Sequence, residues 1–157
     1  MNPDTTEQLN ICFGRNPHEA LEVYSSEMVF DHLFVSHWFD LVKNAHVDIL
    51  DNLIAVGVAR GKGSEHSMWQ LIASGVAQHQ SVEALEKYGH HLPLGPYLRE
   101  CIAPFNEDFF KILPQYVSVA VVRSARNDVA EYFDMVQQKE RLLNITKSSG
   151  GSLKKKM

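Results

Sequence analysis

Two tryptophans set the frame for this chain. Ser36-His37-Trp38 and Ser67-Met68-Trp69 share a Ser-x-Trp pattern 31 residues apart, and each is followed by a glycine, Gly57 and Gly89, 32 residues apart. Self-similarity at such a period constrains the fold more than any single residue does. Periods of ~20–50 residues belong to arrays in which each unit buries its apolar face against its neighbour.

Each unit reads as two helices. Trp38, Leu41 and Val42 stand at i, i+3 and i+4, Asn44-Ala45 breaks the pattern, and Val47, Ile49, Leu50, Leu53 and Ile54 mark a second amphipathic helix that Gly57 is placed to end. In the second unit Trp69, Ile72 and Ala73 repeat the first face, Gly75 weakens its middle, and Val82, Leu85 and Tyr88 lead to Gly89. The register extends outward. Upstream, Leu9, Cys12 and Phe13 precede a break at Asn16-Pro17, followed by Ala20, Leu21, Val23 and Tyr24. Downstream, Pro96-Tyr97-Leu98 opens a helix through Ile102, Pro104 breaks it, and Phe109, Phe110, Ile112 and Leu113 form the next before Pro114. Val117 to Val122, a break near Ser124-Ala125, and Val129, Tyr132, Phe133 and Val136 complete about five helix pairs.

On these residues the units resemble ankyrin repeats. The family pattern is roughly T-P-L-H-x-A-A-x-x-G-H, then x-x-[IV]-V-x-x-L-L-x-x-G-A. Ser36 to His46 falls on its first half and Val47 to Val58 on its second, with His46, Ile49-Leu50, Leu53-Ile54 and Gly57 matching without a gap. Ser67 to Gly89 fits with one inserted residue. The chain departs from the pattern in lacking the T-P-L-H turn, in carrying Trp38 and Trp69 where the family has Leu, and in the prolines at 104 and 114. The resemblance implies an all-α fold, a short solenoid of about five helix-turn-helix units, and a turn-bracing role for His46. The expected body spans residues 6–145 as one helical-repeat domain. A flexible basic tail, 146–157, holds Ser148 to Ser152 and Lys154 to Lys156.

Composition excludes several functions. A net charge of −4 does not supply the clustered cations that grip nucleic acid. The longest apolar run, Val117 to Val122, is far short of the ~18 residues of a membrane span. The two cysteines, Cys12 and Cys101, form no C-x-x-C pair and read as small core residues of a reducing, cytoplasmic environment. Met1 to Asn10 shows no basic-then-apolar leader.

Motifs for chemistry are weak. The eight histidines form no H-E-x-x-H and no i, i+4 pair, so they read as turn-bracing groups, and no metal or other cofactor is expected. Gly57 to Ser64 lacks the spacing of a phosphate loop and reads as a mobile connector. Ser36, His37 and Asp40 make no nucleophile elbow, and Ser36 reads as an N-cap, so no enzyme is expected. Glu19, Glu22, Asp48, Asp51, Glu83, Glu86, Asp128 and Glu131 recur on the outer side of second helices and read as a solvated face.

What is left is recognition. The expected function is a protein–protein interaction module, an adaptor or inhibitor, that holds a partner protein on a concave face. The expected contact strip is Phe39, Asp40, Lys43 and Asn44 on the first helix of unit one, Arg60, Lys62 and His66 in the connector, and Gln70 and Ser74 one unit on, with Phe39 or Phe34 as an aromatic anchor. A monomer is expected. The alternative is a small helical structural or assembly subunit that self-associates.

Overall fold

A computed structural model describes residues 3–101 and 104–156, with side chains from Asp4 to Ile145 within them. The described residues are all-helical, with no strand. The elements in order are α1 (Pro3–Arg15), α2 (Pro17–Val23), α3 (Ser26–His32), α4 (Val35–Lys43), α5 (Val47–Arg60), α6 (Lys62–His79), α7 (Val82–Tyr88), α8 (Glu107–Ile112), α9 (Val119–Ser124) and α10 (Asn127–Lys156). Short 3-10 turns cover Gly89–His91, Gly95–Glu100 and Leu113–Gln115. Helix α3 carries no clear period in the sequence. Ile102 lies outside the described residues. The expected tail boundary at 145/146 falls inside α10, and the side chains beyond it lie outside the described residues.

Local chemistry explains where helices start. Asn16 Oδ1 accepts the Glu19 amide ahead of Pro17, and Ser25, Ser81 and Ser118 cap α3, α7 and α9 through their hydroxyls. Each cap satisfies an amide the helix cannot, at about 1 kcal/mol. Ser36 is not such a cap. It lies within α4, whose N-cap is Phe34, and His37 Nδ1 accepts the Phe34 amide at 3.2 Å.

The α4–α5 and α6–α7 helix pairs close alike. After α4 the His46 amide bonds Leu41 O and the Ala45 amide bonds Val42 O, with Ala45 at φ 54°. After α6 the Ser81 amide bonds Val76 O, with Gln80 at φ 50°. Both are left-handed helix-ending turns made by residues other than glycine, each at a cost of roughly 1 kcal/mol. These two turns are 35 residues apart, against 31 between Trp38 and Trp69, a difference of about one helical turn.

Gly57 does not end its helix as expected, whereas Gly89 follows Tyr88 as the C-cap of α7. Gly57 is buried inside α5, where an added Cβ would lie 2.4 Å from Met68 Sδ and 3.2 Å from the Phe30 ring. Gly75 is buried inside α6 against Phe39 and Val42. Gly89 sits at αR angles beneath the Tyr116 ring. The expected mobile connector is a single residue, Gly61, at φ 109° and ψ 177°, a conformation open almost only to glycine.

Helix α6 touches the most neighbours: α4, α5, α7 and the 95–100 turn. Helix α3 packs on α5, α1 on α2 and α3, and α9 on α10. One apolar cluster runs from Leu9 in α1 through Trp38, Leu53, Trp69 and Leu85 to Phe133 in α10. Polar ties cross between units. The Tyr88 hydroxyl donates to Asp51 Oδ1 at 2.7 Å, Lys87 pairs with the same carboxylate, and Gln80 Oε1 accepts the Asn106 amide. Asp48 and Asp51 thus join elements rather than only facing water. Cys101 is buried, its thiol donating to Ala77 O at 3.2 Å and pushed up to about 12 by burial, which leaves it a poor nucleophile.

Leu53 and Leu85 are fully buried. Leu53→Ala and Leu85→Ala are each expected to cost ~2–5 kcal/mol in chemical denaturation, since each leaves a cavity in close-packed surroundings. A change below about 1 kcal/mol in both would contradict this core.

Candidate functional site

The expected contact strip divides into three groups. Phe39, Gln70 and Ser74 do come together, lining with Val35, Ser67, Leu71 and Tyr97 a groove of about 460 Å³ between α4, α6 and the 95–100 turn. Ser74 Oγ donates to Glu100 Oε2 at 2.7 Å across its end. Phe39 is half-buried, its ring edge against His79. A second group, Asp40, Lys43 and Asn44, is exposed along α4, with Asp40 and Asn44 turned toward a small polar cavity beside Arg15 and His46. The third group sits at the α5–α6 joint. There Arg60 forms a two-pronged pair with Asp31 of α3, at 2.9 and 2.8 Å, while Lys62 and His66 are exposed on the first turns of α6.

A larger groove lies on the other side of α4, and of the residues singled out in the sequence as contacts only Phe34 lines it. It encloses about 580 Å³ and is lined by Thr6, Glu7, Asn10 and Ile11 of α1 and by Phe34, Ser36 and His37. Ile11 is 62% and Phe34 60% exposed, unusual for large apolar side chains. The floor carries a polar side chain: Asn10 is 7% exposed, its Nδ2 donates to Thr6 O at 2.9 Å, and its Oδ1 meets no donor among the described residues. His37 stacks on Phe34, ring centroids 5.6 Å apart and 16° from parallel, and meets the Phe13 edge. Phe34 stands off the apolar stripe in the sequence, which is why it reads there as a candidate contact residue. Ile11 sits between Leu9 and Phe13 in what reads as ordinary helix, so nothing local marks its exposure.

The two grooves adjoin. Phe34 lines one, its neighbour Val35 lines the other, and Val35 is 51% exposed. An apolar band therefore runs from Ile11 through Phe34 and Val35 to Phe39, Leu71 and Tyr97, across α1, α4 and α6. Its chemistry suits burial of a partner's apolar side chains.

Compared with protein-family models, curated proteins and solved structures, the chain matches none.

Two histidines beside the band are held below their ordinary range. His37 is lowered by burial of its ring, opposed by Asp40, and His79 by burial and then by Lys43, again opposed by Asp40. Protonating His37 also places a proton where Nδ1 accepts the Phe34 amide. Because the folded pKa values lie below the unfolded one, the unfolded chain binds more protons in between. The associated stability is complete above about pH 6.5 and is lost as pH falls through the lowered folded values. The thermal midpoint should fall between about pH 7.5 and about pH 5.5, and His37→Gln with His79→Gln should flatten that slope. An equal slope in the double variant would place the acid sensitivity elsewhere.

Proposed function

We propose that this chain is a protein-binding module, an adaptor or inhibitor built as a short solenoid of ankyrin-like helix pairs, that holds a segment of a partner protein along the α1–α4–α6 band. The apolar band carries the reading. Isolated exposed apolar residues are ordinary, but a row of them lining two adjoining grooves is the signature of a surface that another molecule covers. Two further features support the array. The α4–α5 and α6–α7 pairs close on the same left-handed turn, and Trp38 and Trp69 are both buried. The segment that fits presents two or three apolar side chains, with a polar rim supplied by Asp40, Lys43, Asn44, Lys62, His66, Gln70 and Ser74.

Peptide segments selected from a displayed library for binding the intact chain supply the test. Phe34→Asp with Val35→Asp changes exposed positions only, so helicity should be unchanged, while affinity for the selected segments should fall at least about tenfold, or about 1.4 kcal/mol. Lys43→Glu with Lys62→Glu should change it less, mainly through its salt dependence. Selected segments indifferent to the Phe34 and Val35 changes would remove the band as the binding site.

The self-associating alternative rests on α10. Gln138 to Ile145 are all exposed, and Met135, Leu142, Leu143 and Ile145 are each more than half exposed. A groove of about 450 Å³ beside them is edged by Glu107, Lys111, Lys139 and Glu140, two charges of each sign. Light scattering separates the readings. The binding module is expected to be a monomer at about micromolar concentration, whereas a dimer that Leu142→Lys with Leu143→Lys dissociates would establish the assembly subunit.

A further inference from the structure

The eight histidines form no H-E-x-x-H and no pair at i, i+4, yet the fold creates a cluster of ligand type. His18 lies at the start of α2, His46 at the N-cap of α5, and Asp48 in the first turn of α5. His18 Nε2 and Asp48 Oδ2 are 2.7 Å apart, and the His18 and His46 rings meet edge to face with centroids 5.6 Å apart. One ligand atom from each of the three residues falls within 4.8 Å of the others. We propose that His18, His46 and Asp48 form a binding site for a divalent first-row transition metal of the Zn²⁺ type.

The donor set selects the ion. Two imidazoles and one carboxylate suit Zn²⁺, Ni²⁺, Co²⁺ or Cu²⁺, whereas Mg²⁺ and Ca²⁺ want oxygen alone. Bonds of ~2.0–2.2 Å in a tetrahedral site put ligand atoms ~3.3–3.6 Å apart. Drawing in from the observed spread takes about an ångström of side-chain motion, which is within rotamer freedom for two exposed groups. His18 and Asp48 are exposed and free to adjust, while half-buried His46 is fixed by the turn at Ala45. The positive end of the α5 dipole opposes a cation here, and the Asp48 carboxylate offsets it. Three protein ligands leave a fourth position for water or for a donor from a partner. The bound ion would staple α2 to α5 across the 27 residues of chain between His18 and His46. Since α1 and α4 carry the two faces of the larger groove, the staple would also steady that groove. The site itself does not depend on the proposed binding function.

Titration calorimetry with Zn²⁺, in a buffer that does not chelate it, tests the site on the whole chain. The expected result is saturable binding of one ion per chain and a rise in thermal midpoint with added Zn²⁺ that Mg²⁺ does not reproduce. His18→Gln, a change on the exposed side of α2 that leaves the turn at His46 intact, should weaken binding at least about tenfold. Asp48→Asn should weaken it too. His66→Gln, an exposed histidine outside the cluster, should bind as the parent does. Absence of saturable binding, or equal affinity in the His18 and His66 variants, overturns the site.

Discussion

Helix α6 crosses α4 and α5 so closely that the contacts leave little or no space for a side chain at Gly75 and none at Gly57, where an added Cβ would strike Phe39 or Met68. The rest of the structure is arranged around those two crossings. Small residues at a crossing let backbones approach, and the larger side chains around them, Trp38, Val42, Met68 and Ile72, then fill the flanking space. Because α6 also carries the 95–100 turn and α7, an error in its placement would reach most of the core. The hydrophobic gain is distributed, but the geometry that permits it is local to two glycines.

That packing also decides where the surface is apolar. With α4 pinned by its inner face on α6, its Phe34 and Val35 end projects between α1 and α6 and leaves a groove on either side. Burying one stripe of α4 fixes the direction of the residues off that stripe. The same logic turns Asp48 and Asp51, spaced on the outer side of α5, toward His18 of α2 and Tyr88 of α7. Charges that read as a solvated face become the ties between successive helix pairs.

How far the site was legible differs residue by residue. Phe39, Gln70 and Ser74 line one groove, and the spacing points that way because Phe39 precedes Leu41 by two and lies off its stripe, and Gln70 and Ser74 share a face four residues apart. Arg60 and Lys62 were assigned to a connector because three glycines, Gly57, Gly61 and Gly63, fall within seven residues. Glycine has two uses, and the sequence does not distinguish them. At Gly61 it supplies a positive φ, while at Gly57 it makes room for Met68 and Phe30 inside a continuous helix.

The sequence by itself determined the helical class, the apolar face of most helices, and the breaks at Asn16-Pro17, Asn44-Ala45 and Ser124-Ala125. These follow from short-range terms: side-chain period, capping oxygens, and the missing amide of proline. Only the tertiary structure decided that α5 and α6 meet at one residue, that Ile11 and Phe34 share a groove, and that His18 stands beside His46 and Asp48. The groove partners and the histidine–aspartate neighbours are tens of residues apart in the chain. Their proximity is fixed by the way whole helices pack, and no local pattern carries that information.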